Sequence, residues 1–156
     1  FLTYHRVDDL QMIDNRVTGV TVTDLREDRT VDLSCAVVVI AAGPWSAQLA
    51  AKAGVHLNLK LSRGAMLAFN VRWVNTVVNK LRTPGDGDIF VPVGTVSVTG
   101  TTSVSTDDPA DMRIDRAEVQ RILDETEGLV PGISRARILR CWAGVRPLYD
   151  PQLGQA

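Results

Sequence analysis

The sequence is short of the patterns that mark several protein classes. Cysteine is scarce: Cys35 and Cys141 lie far apart, each inside an apolar run, without the paired spacing of a zinc site or a disulfide framework. They read as buried thiols in a reducing compartment. Neither sign of charge dominates, with 17 Lys and Arg against 18 Asp and Glu scattered along the chain for a formal net charge of −1. No basic footprint is left for a polyanion, so nucleic acid is not an expected partner. The longest uninterrupted apolar run, residues 36–42, falls far short of the roughly 20 residues of a membrane-spanning helix, and no signal-peptide pattern opens the chain. The two histidines, His5 and His56, have no carboxylate or second histidine at ligand spacing, so no metal is expected and both read as surface or half-buried residues. Asp107, Asp108, Asp111 and Asp115 lack the strand and glycine geometry of a calcium loop and read as a solvated loop and helix cap. There is no internal repeat and no low-complexity segment.

What is present is enough apolar residue, 45% of 156 positions, to bury a core. Phe1-Leu2-Thr3-Tyr4 looks like the inside of a strand with neither an initiator methionine nor a polar lead-in, and a cut N-terminus is expected. Across residues 17–33, Val20 and Val22 alternate with Thr21 and Thr23, and Val31 and Leu33 follow a charged turn at residues 26–29. This period of two predicts an antiparallel hairpin with one solvated face. Residues 36–42 do not alternate and are rich in β-branched side chains, the signature of a strand covered on both faces in a parallel sheet. Gly43-Pro44-Trp45-Ser46 then opens a helix, with Trp45, Leu49 and Ala53 on one face and Gly54 as the stop. Strand, glycine turn and helix together are the unit of a doubly wound sheet.

After about Leu57 the pattern changes to short strands at residues 65–71, 88–93 and 95–100, an antiparallel-rich second layer divided by turn residues at 82–87 and by Gly94. One strong helix follows, with Asp115 as N-cap, Glu118 three residues on, an Ile114 to Val119 staple and an apolar stripe at Val119, Ile122, Leu123 and Leu129. Gly128 and Pro131 mark its end. A last strand over residues 136–142 leads into Ala143-Gly144-Val145-Arg146-Pro147-Leu148.

Three segments are candidate sites, each with a plain structural alternative. The turn at Gly43-Pro44-Trp45 places helix N-terminal amides at the carboxyl end of a strand, where open α/β sheets bind ligands; a tight turn chosen for packing has the same sequence. Thr99-Gly100-Thr101-Thr102-Ser103 offers hydroxyls beside a glycine that permits close backbone approach, and a polar strand end looks alike. In Gly144-Val145-Arg146-Pro147, Pro147 biases Arg146 toward an extended backbone, which suits an arginine that holds a phosphate or carboxylate; a structural ion pair is the other reading. Trp73 and Trp142 read as core or interface anchors.

Taken in order, residues 39–45, residues 88–103 and residues 142–148 resemble the FAD-dependent glycerol-3-phosphate dehydrogenases of the D-amino-acid oxidase-like superfamily. Arg63-Gly64-Ala65-Met66-Leu67, followed by residues 78–84, looks most like the flavin-bearing A-subunits of the anaerobic enzymes. The likeness is strong from about Val37 to Leu148 and only one of pattern before that. It implies a fold in α/β and α+β parts, the rear of an FAD-binding doubly wound domain plus an antiparallel-rich substrate domain, with residues 1–56 a partial FAD-binding domain, 57–150 an incomplete substrate-binding domain and 151–156 a tail.

The same resemblance implies oxidation of sn-glycerol 3-phosphate to dihydroxyacetone phosphate, with FAD as cofactor in the full-length protein. Electrons would go on to quinone through other subunits of a membrane-associated complex. The parent would be cytoplasmic and peripheral on the inner face of the cell membrane. By residue-wise carry-over, Gly43, Pro44 and Trp45 border the flavin, Thr101 and Thr102 lie by the substrate, and Arg146 holds it. Aerobic relatives carry a lysine-glycine-serine-histidine run where this chain has Arg63-Gly64-Ala65-Met66; Met66 cannot accept a proton, so no general base is assigned. No Gly-x-Gly-x-x-Gly fingerprint occurs, so an inactive interior fragment with weak or no flavin binding of its own is expected. The alternatives are a piece of another amine or amino-acid oxidase of the superfamily, or a non-catalytic interaction module.

Overall fold

The computed structural model describes residues 1–83 and 85–151; of the expected tail, residues 152–156 lie outside the described residues. The described residues divide into two compact units, Phe1–Leu59 with residues 149–151, and Lys60–Leu148.

The first unit is built on an antiparallel sheet of β1 (His5–Ile13), β2 (Arg16–Asp24) and β3 (Arg29–Ser34), in that order. Asp14 and Asn15 join β1 to β2 with φ of 47° and 61°. A two-residue hairpin turn that follows strand twist needs positive φ at both positions, and Asp and Asn tolerate it better than most side chains. Pairing starts at His5 opposite Asp24. Phe1 to Tyr4, expected as part of a strand, precede it: Tyr4 has φ of 60°, which breaks extended geometry, and its carbonyl accepts from the Leu25 N–H at 2.8 Å.

Two further expectations for this unit are corrected. Residues 36–42 form no strand, and residues 36–41 make no backbone hydrogen bond among the described residues. Val37 and Val39 are 75% and 85% exposed. A strand is defined by its ladder partner, and an apolar β-branched run supplies the propensity without the partner. Cys35 is half-buried and Cys141 exposed, because the apolar runs that hold them are themselves uncovered here. After a single 3-10 turn at Gly43–Trp45, the helix that Pro44 opens is short, α1 (Ser46–Ala51).

The second unit contains β4 (Leu59–Phe69), β5 (Val78–Asn79), β6 (Ile89–Val93), β7 (Val96–Gly100), β8 (Val104–Ser105), helix α2 (Arg116–Glu127) and β9 (Ile138–Tyr149). Its sheet runs β5-β6-β7-β4-β8, and β9 also pairs with β4. The core gathers Ala65, Leu67 and Phe69, which share a face of β4 by their period of two, with Phe90, Ile122, Val130 and Ile133. The Phe69 and Phe90 ring centres lie 6.2 Å apart, within the favourable range for tilted aromatic pairs.

Helix α2 begins as its sequence dictates. Asp115 accepts from the Glu118 N–H at 2.7 Å and Glu118 reaches back to the Asp115 N–H at 3.3 Å, which satisfies two orphan donors reciprocally. Gly128 caps its end. β9 extends further than expected and carries Arg146 and Pro147 within the strand; Pro147 is exposed, where a missing N–H costs the ladder least.

Candidate functional site

β7 ends at Gly100, opposite Met66 of β4, and the chain leaves through Thr101 and Thr102. The Gly100–Thr101 peptide is cis. Arg146 of β9 reaches this corner: its Nη2 donates to the Thr102 carbonyl at 2.7 Å and to the Thr101 hydroxyl at 3.1 Å. Gly64 makes room for that reach, since a Cβ there would collide with the Arg146 guanidinium and the Thr101 hydroxyl and lie 2.8 Å from the Thr102 carbonyl. The half-buried Arg146 forms no ion pair with any described carboxylate, and its Nε and Nη1 make no hydrogen bond among the described residues. The structural ion pair entertained for it is therefore absent among the described residues, and most of its donor fork remains open.

Thr102 enters the same corner differently. It is fully buried, and its hydroxyl accepts from the Ala65 N–H at 2.9 Å while donating to Glu118 Oε1 at 2.9 Å. Only its carbonyl faces Arg146.

Behind Thr102 lies a buried charge cluster that sequence reasoning missed. Glu118 is 1% exposed; its Oε2 accepts from Arg63 Nη2 at 2.5 Å. Arg63, itself 7% exposed, points Nη1 between the two oxygens of Asp111 at 3.3 Å, and its Nε has no partner. Asp111, expected in a solvated loop, is 5% exposed and gripped by Arg113 Nε at 2.8 Å and Nη2 at 3.0 Å. One sequence signal points to it: Arg63 is in phase with the apolar face of β4, whereas Glu118 at the third helical position is already accounted for as a cap.

The hydrogen bonds from Arg113, with the charge of Arg63 added, hold the Asp111 carboxyl well below the usual carboxylate range. The hydrogen bond from Arg82 lowers the Asp88 carboxyl, and that from Lys80 lowers Glu125. A carboxyl whose folded value is depressed binds fewer protons folded than unfolded near pH 4, so its stabilisation is complete above the ordinary range and is lost as pH falls through the folded value. Melting temperature is expected to drop steadily from about pH 4 downward. Thermal melts across that range check it, and Asp111→Asn should show a shallower acid slope than the parent sequence.

In the first unit, Gly43 has φ of +54° and open space where a side chain would stand. Trp45 is partly exposed, and Pro44 starts the turn that the Trp45 N–H closes onto the Ala42 carbonyl at 3.1 Å. Residues 38–42, Trp45, Gln48, Leu49 and Lys52 line an open cleft of about 750 Å³ with Arg6, Val7 and Asp8. The bare Gly43 backbone and the apolar wall beside it fit the border of a flat ring system. They provide no cradle for a pyrophosphate, which needs several converging N–H groups at a glycine-rich turn.

The sequence profile of the family described as FAD dependent oxidoreductase matches residues 1–156, and the chain belongs to that family. Within it, the A1 component of the anaerobic glycerol-3-phosphate dehydrogenase of Haloferax volcanii is 35% identical over 96% of this chain and 27% of its own length. The corresponding A component of the Escherichia coli K12 enzyme is 38% identical over 94% of the chain and 28% of its own length. The chain thus spans little more than a quarter of these curated relatives. The crystal structure of the glycerol-3-phosphate dehydrogenase from Bacillus halodurans, complexed with FAD, superposes with a TM-score of 0.79 at 28% identity, covering 97% of this chain and 32% of that one. The mixed, strand-rich architecture is that of this family.

Proposed function

We propose that this chain is part of a flavoprotein that oxidises sn-glycerol 3-phosphate to dihydroxyacetone phosphate, residues 1–56 serving the flavin and 57–150 the substrate. The observation that carries the reading is Arg146: a guanidinium anchored through one nitrogen, with the others open and no carboxylate among the described residues to neutralise it. Such a fork matches phosphate oxygens in charge and shape. Bound FAD supplies the hydride acceptor. The chain's residues orient the substrate: Arg146 takes its phosphate, Thr101 lines the same corner, and the Gly43-Pro44-Trp45 turn borders the flavin ring. Thr102 contributes through its carbonyl, which fixes Arg146. The names of the relatives, as subunits of an anaerobic glycerol-3-phosphate dehydrogenase, support a multi-subunit parent. Onward electron transfer to quinone through other subunits and a place on the inner face of the cell membrane complete the reading; no helix among the described residues is long and apolar enough to cross a membrane.

Mixing the complete flavin-loaded protein with glycerol 3-phosphate under anaerobic conditions tests the reading. Rapid bleaching of the oxidised flavin bands is the expected result. Bleaching by glycine, sarcosine or D-amino acids but not by glycerol 3-phosphate would favour the amine-oxidase alternative. That alternative rests on a glycine oxidase of Geobacillus kaustophilus, 32% identical over 76% of the chain, and on the equal fitness of Arg146 for a carboxylate.

Gly64→Ala is a milder probe of the same corner. The added methyl displaces the guanidinium from the Thr102 carbonyl, so kcat/KM should fall by roughly 3- to 10-fold, the worth of one hydrogen bond, with flavin content unchanged. Steady-state kinetics with a flavin-to-protein absorbance ratio checks both parts.

A further inference from the structure

Glu118 has both oxygens committed: Oε1 to the Thr102 hydroxyl, and Oε2 to Arg63 and the Asp115 N–H. It is buried and cannot touch a ligand. Its effect on Thr102 is nonetheless direct, because the Thr102 hydroxyl is clamped between the Ala65 N–H and Glu118 while the carbonyl of the same residue holds Arg146 at 2.7 Å. One end of this chain of contacts is the capped first turn of α2, and the other is the open guanidinium. The sheet fixes the remaining side, since Ala65 lies one residue from Gly64, over which Arg146 passes. A carbonyl that accepts from a guanidinium orients it only if its own peptide is immobile, and side-chain clamps of this kind are how functional groups are held to within a fraction of an ångström.

We propose that Glu118 is a positioning residue for Arg146, acting through Thr102, so that the anion grip is set by the N-terminal turn of α2. This rests on the reading of Arg146 as the residue that binds the substrate's anionic group. The role differs from simple charge balance for Arg63: balance would affect stability, whereas positioning affects how well an anion is bound and aligned.

The test uses the complete flavin-loaded protein with glycerol 3-phosphate. Glu118→Gln and, separately, Thr102→Val are each expected to lower kcat/KM by roughly 3- to 10-fold, mainly through a raised KM, with flavin content retained. Thr102→Ser, which keeps the hydroxyl, should recover most of the loss. In an Arg146→Ala background neither change should lower kcat/KM further, since the group they position is gone. Equal fold losses in both backgrounds, or a lowered melting temperature with unaltered kcat/KM, would overturn the positioning role. If Glu118→Gln does not fold, the Thr102 pair carries the same test. An Arg146→Ala protein with normal kcat/KM would instead defeat the substrate assignment itself, an outcome read in a single variant and separate from the others.

Discussion

Arg146→Ala in the complete protein is expected to lower kcat/KM for glycerol 3-phosphate by about 10- to 150-fold while flavin stays bound, which is the worth of a charge-assisted hydrogen bond. The size follows from what surrounds the side chain. Arg146 is half-buried and has no acidic partner among the described residues, so its charge is not already neutralised by them. Its two anchors, the Thr102 carbonyl and the Thr101 hydroxyl, are neutral and leave the fork free to meet an anion with paired donors. Arg146→Lys should restore only part of the loss, because an ammonium is a point charge and does not reproduce two parallel contacts. Steady-state kinetics on flavin-loaded variants decides the matter, and unchanged kcat/KM in the alanine variant would end the assignment.

The largest stability effect is expected at Arg63. Removing its guanidinium leaves Glu118 buried with no cation beside it, while Asp111 keeps Arg113, and breaking a buried pair from one side typically costs about 3–5 kcal/mol. That is a large share of the roughly 5–15 kcal/mol that holds a domain folded. Arg63→Met keeps much of the volume and removes the charge, so it isolates the electrostatic part. Its urea midpoint should fall well below that of the parent sequence with little change in the slope of the transition. Adding Glu118→Gln should recover part of the loss, since the glutamine is neutral and no carboxylate is then left buried there without its cation. Equal midpoints for Arg63→Met and the parent would show the cluster to be energetically neutral.

How much of this was legible in the sequence depended on whether a feature is local. Helix α2 was readable from Asp115, Glu118 and its apolar stripe because capping and amphipathicity are decided within a few residues. The β2 to β3 hairpin and the strands β4, β6 and β7 were readable for the same reason, from alternation and turn residues. Thr101, Thr102 and Arg146 came from two separate motifs, and the structure brings them within hydrogen-bond distance of one another. What was not legible needs a partner distant in sequence. Arg63 is 48 residues from Asp111 and 55 from Glu118, and no local pattern announces that an arginine in a strand will be buried against either. The missing ladder of residues 36–42 is the opposite case, a local pattern that is complete while its partner is not among the described strands. The Asp14-Asn15 turn was overlooked although the residues suit positive φ, because the strand before it, β1, does not alternate cleanly in its charged half.

The uncovered run at residues 36–42 has a consequence for handling the protein. It combines β-branched side chains, no charge and no proline with a backbone that has no ladder partner among the described residues and with valines open to solvent. These properties favour intermolecular strand pairing, and the stretch is expected to lower the soluble concentration of this chain. A lysine in place of Val39, whose side chain already faces solvent, places a gatekeeping charge in the middle of the run without disturbing any hydrogen bond of the described residues.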